Sequence, residues 1–270
     1  LAYHMGFRSQ ITRSSLARAN EKRAWEPWAY LTRKLIPKAR ALYQDEPRVI
    51  EWDVPVIAVD SSLIDLSLAL CPWANFTGSK AALKLHVGLD LQGPVPAFIN
   101  VTAATQSDIG DLDNMPVEPG TLYVMDRGYI DFRRLRRLAE QGAFFVIRAR
   151  SDVRFYVVAS RPVDRSTSLR ADQTIRFNGT AVPKHWPGDM RRVSLYDQEH
   201  HRRMAFWTNL WDAPAAVIAE TYRQRWQIEL FFRWLKHGLR IQTFLRHQRD
   251  GGSPSIMGLG LRLPGHGHHA

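Results

Sequence analysis

The sequence predicts an α/β fold in which a mixed sheet is flanked by helices, and three observations carry that prediction. Two short apolar runs, 54–59 and 121–125, read as buried strands, and each stops at an aspartate, Asp60 and Asp126. Between them, 82–90 and 95–103 are strand-like runs joined by Leu91-Gln92-Gly93-Pro94, a turn composition that makes them an antiparallel pair. A basic helix from Asp131 to Gly142 then leads into another apolar run, 143–150, giving the strand–helix–strand alternation of a sheet with helical cover.

Along the chain, residues 14–44 read as helices with basic faces, broken or kinked at Pro27 and Pro37. The period changes at Val54, where the first strand begins. Gly142 closes the helix 131–142, because a helix end commonly needs a residue tolerant of left-handed backbone. Residues 151–212 have a different texture: RFYVVA, QTIRFNG, RRVSLYD and RMAFWTNL alternate with turns and suggest a small β-rich insertion. Residues 213–237 read as one long helix. Residues 246–270 hold 6 of the 17 Gly and 4 of the 10 His without periodicity, so they fit no packed element.

Composition narrows the function. The 270 residues are 45% apolar and 23% charged, which excludes wholesale disorder. No apolar run reaches the roughly 18 residues of a membrane helix. The single Cys71 excludes a disulfide framework and a multi-cysteine zinc site, and suits a reducing cytoplasm. The net charge is +11 and the pI near 10.1. Of the 37 basic residues 30 are Arg, whose planar fork suits phosphate, so a polyanionic partner is expected. An Arg-favouring genome is the plain alternative.

Three strands, a crossover and a fourth strand would place the first and fourth side by side, with Asp60 and Asp126 adjacent. Two carboxylates so placed repel unless a divalent cation joins them, and oxygen ligands without Cys suit Mg²⁺ or Mn²⁺. A lone strand-end Asp is more often a turn cap, and Asp53 and Asp65 keep that reading. The long helix adds Tyr222, Arg225, Glu229 and Lys236, spaced Y-x2-R-x3-E-x6-K. At about 100° per residue they form a stripe about 60° wide. Trp226, Leu230, Phe231, Phe232, Trp234 and Leu235 fill the other directions, so the helix is expected to be buried apart from this polar line. A solvated charged face would not be flanked by Trp and Phe on both sides.

These motifs carry a resemblance. VDSS, MDRGY and the Y-R-E-K helix, with DLSLALCPWA, KAALKLH, YVMDRGYIDF and RWQIELFFRWLKHGLRI, resemble the DDE transposases of bacterial insertion sequences, and among them insertion-sequence family four. The likeness runs from about Tyr3 to Leu245. It implies a ribonuclease H-like core over 51–245, with the insertion 151–212 before the last catalytic helix. Residues 1–50 would be a helical remnant of an N-terminal DNA-binding region, so the chain is expected to start inside a longer protein. Asp60, Asp126 and Glu229 would hold two Mg²⁺ (or Mn²⁺) ions. Tyr222, Arg225 and Lys236 would hold DNA phosphate and end groups. The partners implied are double-stranded DNA, as element ends and target, and a second copy on that DNA. The place is the bacterial cytoplasm, at the nucleoid, with no membrane. Nicking at an element end would be followed by strand transfer into a target.

The weaker candidates keep two readings. Arg133, Arg134, Arg136 and Arg137 either grip backbone phosphate or form a solvated helix face. His200, His201, Arg202 and Arg203 are placed at a hairpin tip. Trp207 and Trp226 can stack on a base, but core packing is the ordinary role. Gly128 is expected to let the chain leave its strand sharply, and Tyr129 to pack beside the site or in the core. His266, His268 and His269 resemble a metal cluster in composition only. After LRIQTFL, relatives continue with a G-T-S-E-N-A-V-x-x-Q-I-W pattern. Shifting the codons of 246–258 forward by one nucleotide permits most of it and forces its Trp at Met257-Gly258. Residues 246–270 are therefore expected to be an out-of-frame tail. Three functions remain: transposase, ribonuclease H-like nuclease without strand transfer, and inactive DNA-binding remnant.

Overall fold

A computed structural model describes residues 26–43, 45–46, 50, 52–66, 75–77 and 80–237. Helix α1 (Glu26–Ala41) precedes β1 (Val56–Leu66), β2 (Asn75–Thr77), β3 (Lys80–Asp90) and β4 (Val95–Ala103). The short α2 (Asp108–Asp111) leads to β5 (Leu122–Met125), a 3-10 turn (Arg127–Tyr129), α3 (Phe132–Glu140) and β6 (Phe144–Arg148). Then come β7 (Phe155–Arg161), β8 (Leu169–Phe177), α4 (Ala181–His185), β9 (Met190–Asp197) and β10 (Arg202–Thr208). Helices α5 (Ala215–Gln224) and α6 (Trp226–His237) close the described chain.

All ten strands join one mixed sheet in the order β2-β3-β1-β5-β6-β10-β9-β8-β7, with β4 also on β3. β1 runs antiparallel to β3 and parallel to β5, so the first and fourth long strands are neighbours as expected. β5 is parallel to β6, and β10 returns antiparallel to β6. The strands of 151–212 thus extend the same sheet.

Alternation divides the core in two. Val56, Ala58, Leu122, Val124, Val146 and Phe206 face one side, where Ile218, Tyr222, Ile228, Phe232 and Leu235 of α5 and α6 cover them. Their strand neighbours Ile57, Val59, Tyr123, Met125, Phe145, Ile147 and Trp207 face the other side, against Phe132, Leu135 and Leu138 of α3. A strand's period of two makes each strand supply both faces. Asp131 caps α3 by accepting from the Arg134 amide at 3.0 Å, worth about 1 kcal/mol over Ala. Gly142 ends that helix at φ +77°, as its sequence position predicts.

Four expectations change. β1 does not stop at Asp60; it continues to Leu66 along β3, and only its pairing with β5 stops, at Val59. Pro37 lies inside α1, which runs on to Ala41, so of the two effects expected of it, a break or a kink, the break does not occur. The long helix is two helices joined at Arg225, where the Arg225 and Ile228 amides reach carbonyls three residues back, at 3.2 and 3.1 Å. Trp226, Leu230 and Trp234 are about half exposed, so one apolar line of α6 faces outward. Residues 14–25, Cys71 and 238–270, which include the expected tail and its histidines, lie outside the described residues.

Candidate active site

Asp60 belongs to the even-numbered face of β1, so it points to the side of the sheet that α5 and α6 cover. Asp126 directly follows β5 and begins the 3-10 turn. Glu229 sits in the first turn of α6. The helical residues reach both strand acids. Tyr222 donates its hydroxyl to Asp126 Oδ1 at 3.1 Å. Arg225 donates Nη1 to Asp60 Oδ2 at 3.1 Å and Nη2 to Glu229 Oε1 at 2.8 Å. The Ser61 amide donates to Asp60 Oδ1 at 2.8 Å. Lys236 is half-buried, two turns beyond Glu229 on the same helix.

The electrostatics are those of crowded acids. Burial raises the Asp60 carboxyl above its ordinary value, and the charges of Glu229 and Asp126 push the same way, against the Ser61 amide and Arg225. Burial, with Asp126 beside it, pushes the Tyr222 phenol up to about 12, so Tyr222 stays a proton donor. Burial alone would lower the Arg225 guanidinium, but its anionic neighbours more than offset that and hold it above its usual value. Arg225 is thus the cation between Asp60 and Glu229. Among the described residues, no three His, Cys, Asp or Glu side chains stand close enough to share one ion in this arrangement.

The other candidates separate. Arg133 and Arg134 lie on α3, across the sheet from the acids. Arg134 is engaged by Asp113 at 2.5 Å and Asp131 at 2.6 Å, while Arg133 is exposed. Arg136 pairs with Glu140, and Arg137 with Asp113. His200 and His201 do form a hairpin tip between β9 and β10, where His200 bonds Asp197. Trp207 is fully buried and packs against Phe132 and Phe177. Tyr129 is buried in the α3-side core. Gly128 has ordinary backbone, and a Cβ there would meet nothing, so the turn does not require glycine.

A polar group behind Asp60 was not anticipated. Ser61 and its partner His86 face the α3 side, with Lys84, Thr102, Asp108 and Asp111 around them. Ser61 Oγ donates to Asp108 at 2.6 Å, and Lys84 Nζ lies 3.1 Å from the same oxygen. Polar residues two apart, Lys84 and His86, inside an apolar alternation were the available signal.

A family model described as a transposase DDE domain matches residues 51–253, which hold β1 to α6 and every residue of this cluster. The chain belongs to the DDE transposase family. This DDE transposase chain is 31% identical over 202 residues to the probable transposase for insertion sequence element IS5377 of Geobacillus stearothermophilus, covering 73% of this chain and 52% of that protein. It is 32% identical over 191 residues to the putative transposase y4zB of Sinorhizobium fredii, covering 69% and 53%. The putative transposase for insertion sequence element IS4SA of Synechocystis is 22% identical over 239 residues, covering 86% and 64%. The DDE transposase chain therefore spans about half the length of the first two relatives.

Proposed function

We propose that this chain is the catalytic part of an insertion-sequence transposase of family four, with a ribonuclease H-like core, that cuts and joins double-stranded DNA as a homodimer in the bacterial cytoplasm. The carrying observation is the contact set of the Y-R-E-K helix: Tyr222 on Asp126, and Arg225 on both Asp60 and Glu229. Residues on either side of the α5–α6 junction bring two acids from adjacent strands together with Glu229.

The donor set fits hard divalent cations. Three carboxylates supply only oxygen, and burial, with Glu229 and Asp126 adding to it, raises the Asp60 carboxyl, so added positive charge there would favour its ionised form. Asp60, Asp126 and Glu229 would hold Mg²⁺ or Mn²⁺, two ions for a two-ended displacement, once Arg225 turns from carboxylate to phosphate. The ions, when bound, supply activation of water or a 3′-hydroxyl and stabilisation of the leaving oxygen. Arg225 and Lys236 neutralise phosphate charge, and Tyr222 donates a hydrogen bond to Asp126 that fixes its orientation. Attack at phosphorus forms one P–O bond and breaks the bond to the 3′-oxygen, which leaves with a proton.

The test is Mn²⁺-dependent nicking of supercoiled DNA carrying the element ends, with calorimetric Mn²⁺ binding alongside. Asp60→Asn, Asp126→Asn and Glu229→Gln are each expected to lower nicking about 10³-fold or more and to weaken Mn²⁺ binding. Nicking that survives all three would overturn the assignment.

A further inference from the structure

The face of the sheet opposite the acids carries a basic groove of about 600 Å³ between α3 and α4. Arg133, Arg136, Arg137, Lys184 and His185 line it, with Asp113 and Glu140. Four permanent cations thus meet two carboxylates, and Asp113 is already held by Arg134 as well as Arg137. All five basic side chains are exposed. Among the described residues Arg133 and Lys184 bond no carboxylate. Arg133, Arg136 and Arg137 follow i, i+3 and i+4 spacing, which lines their guanidinium groups along one helix edge.

The groove cannot serve the bond being cut. Phe132, Leu135 and Leu138 seat α3 on the face of the sheet that carries Ile57, Tyr123 and Phe145, while Asp60 and its helix partners occupy the face that carries Val56, Leu122 and Val146. A helix is roughly 10 Å across with its side chains, so the sheet and one full helix layer separate the two places. A phosphate held by Arg225 is out of reach of Arg136.

We propose that the α3–α4 groove is a second nucleic-acid site, which holds the sugar-phosphate backbone of an uncut length of duplex DNA through Arg133, Arg136 and Lys184. The recognition is charge-based and blind to sequence, because exposed cations without a reading element in a groove contact phosphate only. The site rests on the family's action on DNA, but not on metal binding or on the identity of the acids. It makes the molecule two-sided towards DNA, with chemistry on one face and holding on the other.

The experiment measures binding of a random-sequence duplex to the 270-residue chain by fluorescence anisotropy, in EDTA, across a salt series. EDTA leaves the acid face without ions, so no binding runs through metal there, and the two variants separate the groove from the rest of the basic surface. The triple variant Arg133→Gln, Arg136→Gln, Lys184→Gln is expected to bind about 10-fold or more weakly, with a salt slope about 3 smaller. Glutamine keeps the side-chain stems, and an unchanged thermal midpoint checks the fold. The matched variant Arg150→Gln, Arg154→Gln, Arg165→Gln removes equal charge from the exposed surface near β7, and should change the slope far less. The proposal is overturned by no duplex binding in EDTA, by an unchanged slope in the groove variant, or by equal losses in both variants. Equal displacement by polyglutamate and DNA, without a slope difference, would mark an acidic-protein site instead. Failure of the Mn²⁺ assays on the opposite face would leave this result standing.

Discussion

Arg225 holds the two acids it sits between and is paid for by them: remove its guanidinium and Asp60 and Glu229 face each other unshielded. Its side chain is 13% exposed against 33% for Glu229, so the pair is partly screened. Arg225→Ala should therefore cost the metal-free chain about 2 kcal/mol at neutral pH, less than the 3–5 of a fully buried pair. The sign with pH follows. Without Arg225 the Asp60 carboxyl, already raised by burial, loses an opposing cation and titrates still higher in the folded chain, which favours the fold only where it is protonated. The deficit should open as pH rises through the carboxylate range and close in acid. Added Mn²⁺ should raise the melting temperature more in the variant than in the parent, because no resident cation competes. A smaller Mn²⁺ shift in the variant would reject the competition. The Y-R-E-K spacing was legible because helix geometry alone aligns it. Its contacts to Asp60 and Asp126 were expected only as shared proximity, since the sequence carries no side-chain distances. The fate of Arg134 was not legible, because Asp113 comes from a loop 21 residues away and is held by two arginines at a carboxyl value of about 2.

At the scale of elements, one side chain ties the later strands to the helices of the site. Arg191 of β9 forms a two-pronged pair with Asp172 of β8, at 2.9 and 2.7 Å, and both are nearly sealed from water. Its Nη1 also donates to the carbonyls of Leu210, Trp211 and Ala213, the segment that launches α5. Arg191→Ala leaves Asp172 buried without this partner and should lower unfolding free energy by about 3–5 kcal/mol in urea titrations. Arg161 also meets Asp172, but at 40% exposure, and Arg161→Ala should cost under about 1 kcal/mol. Equal losses would mean that the carbonyl contacts carry nothing. The strands here were legible from apolar alternation. Helix α4 was not, because Ala181–His185 contains Pro183 and has no apolar period. The turn at Arg225 was hidden for the opposite reason: the residues around it are good helix formers, and only three-residue hydrogen bonding betrays it.

For the whole molecule, the two-faced sheet makes global stability answer to a buried histidine. Burial lowers His86 below its ordinary 6.5 and Lys84 adds to that, while Asp111 and Asp108 oppose it. The unfolded chain takes up a proton near pH 6.5 that the folded chain resists, so stability should fall as pH drops below about 6.5. His86→Gln should flatten that part of the urea-derived profile. An unchanged slope would place the proton elsewhere. The same sheet has a mechanical side. β1 is clamped by β3 and β5 through Val59, and beyond it by β3 alone, out to Leu66. Past Val59 it is braced on one side only, and Asp60 is the first residue beyond the two-sided support. A load on that stretch, from DNA or from the chain that follows, would bend β1 at the Asp60 carboxylate.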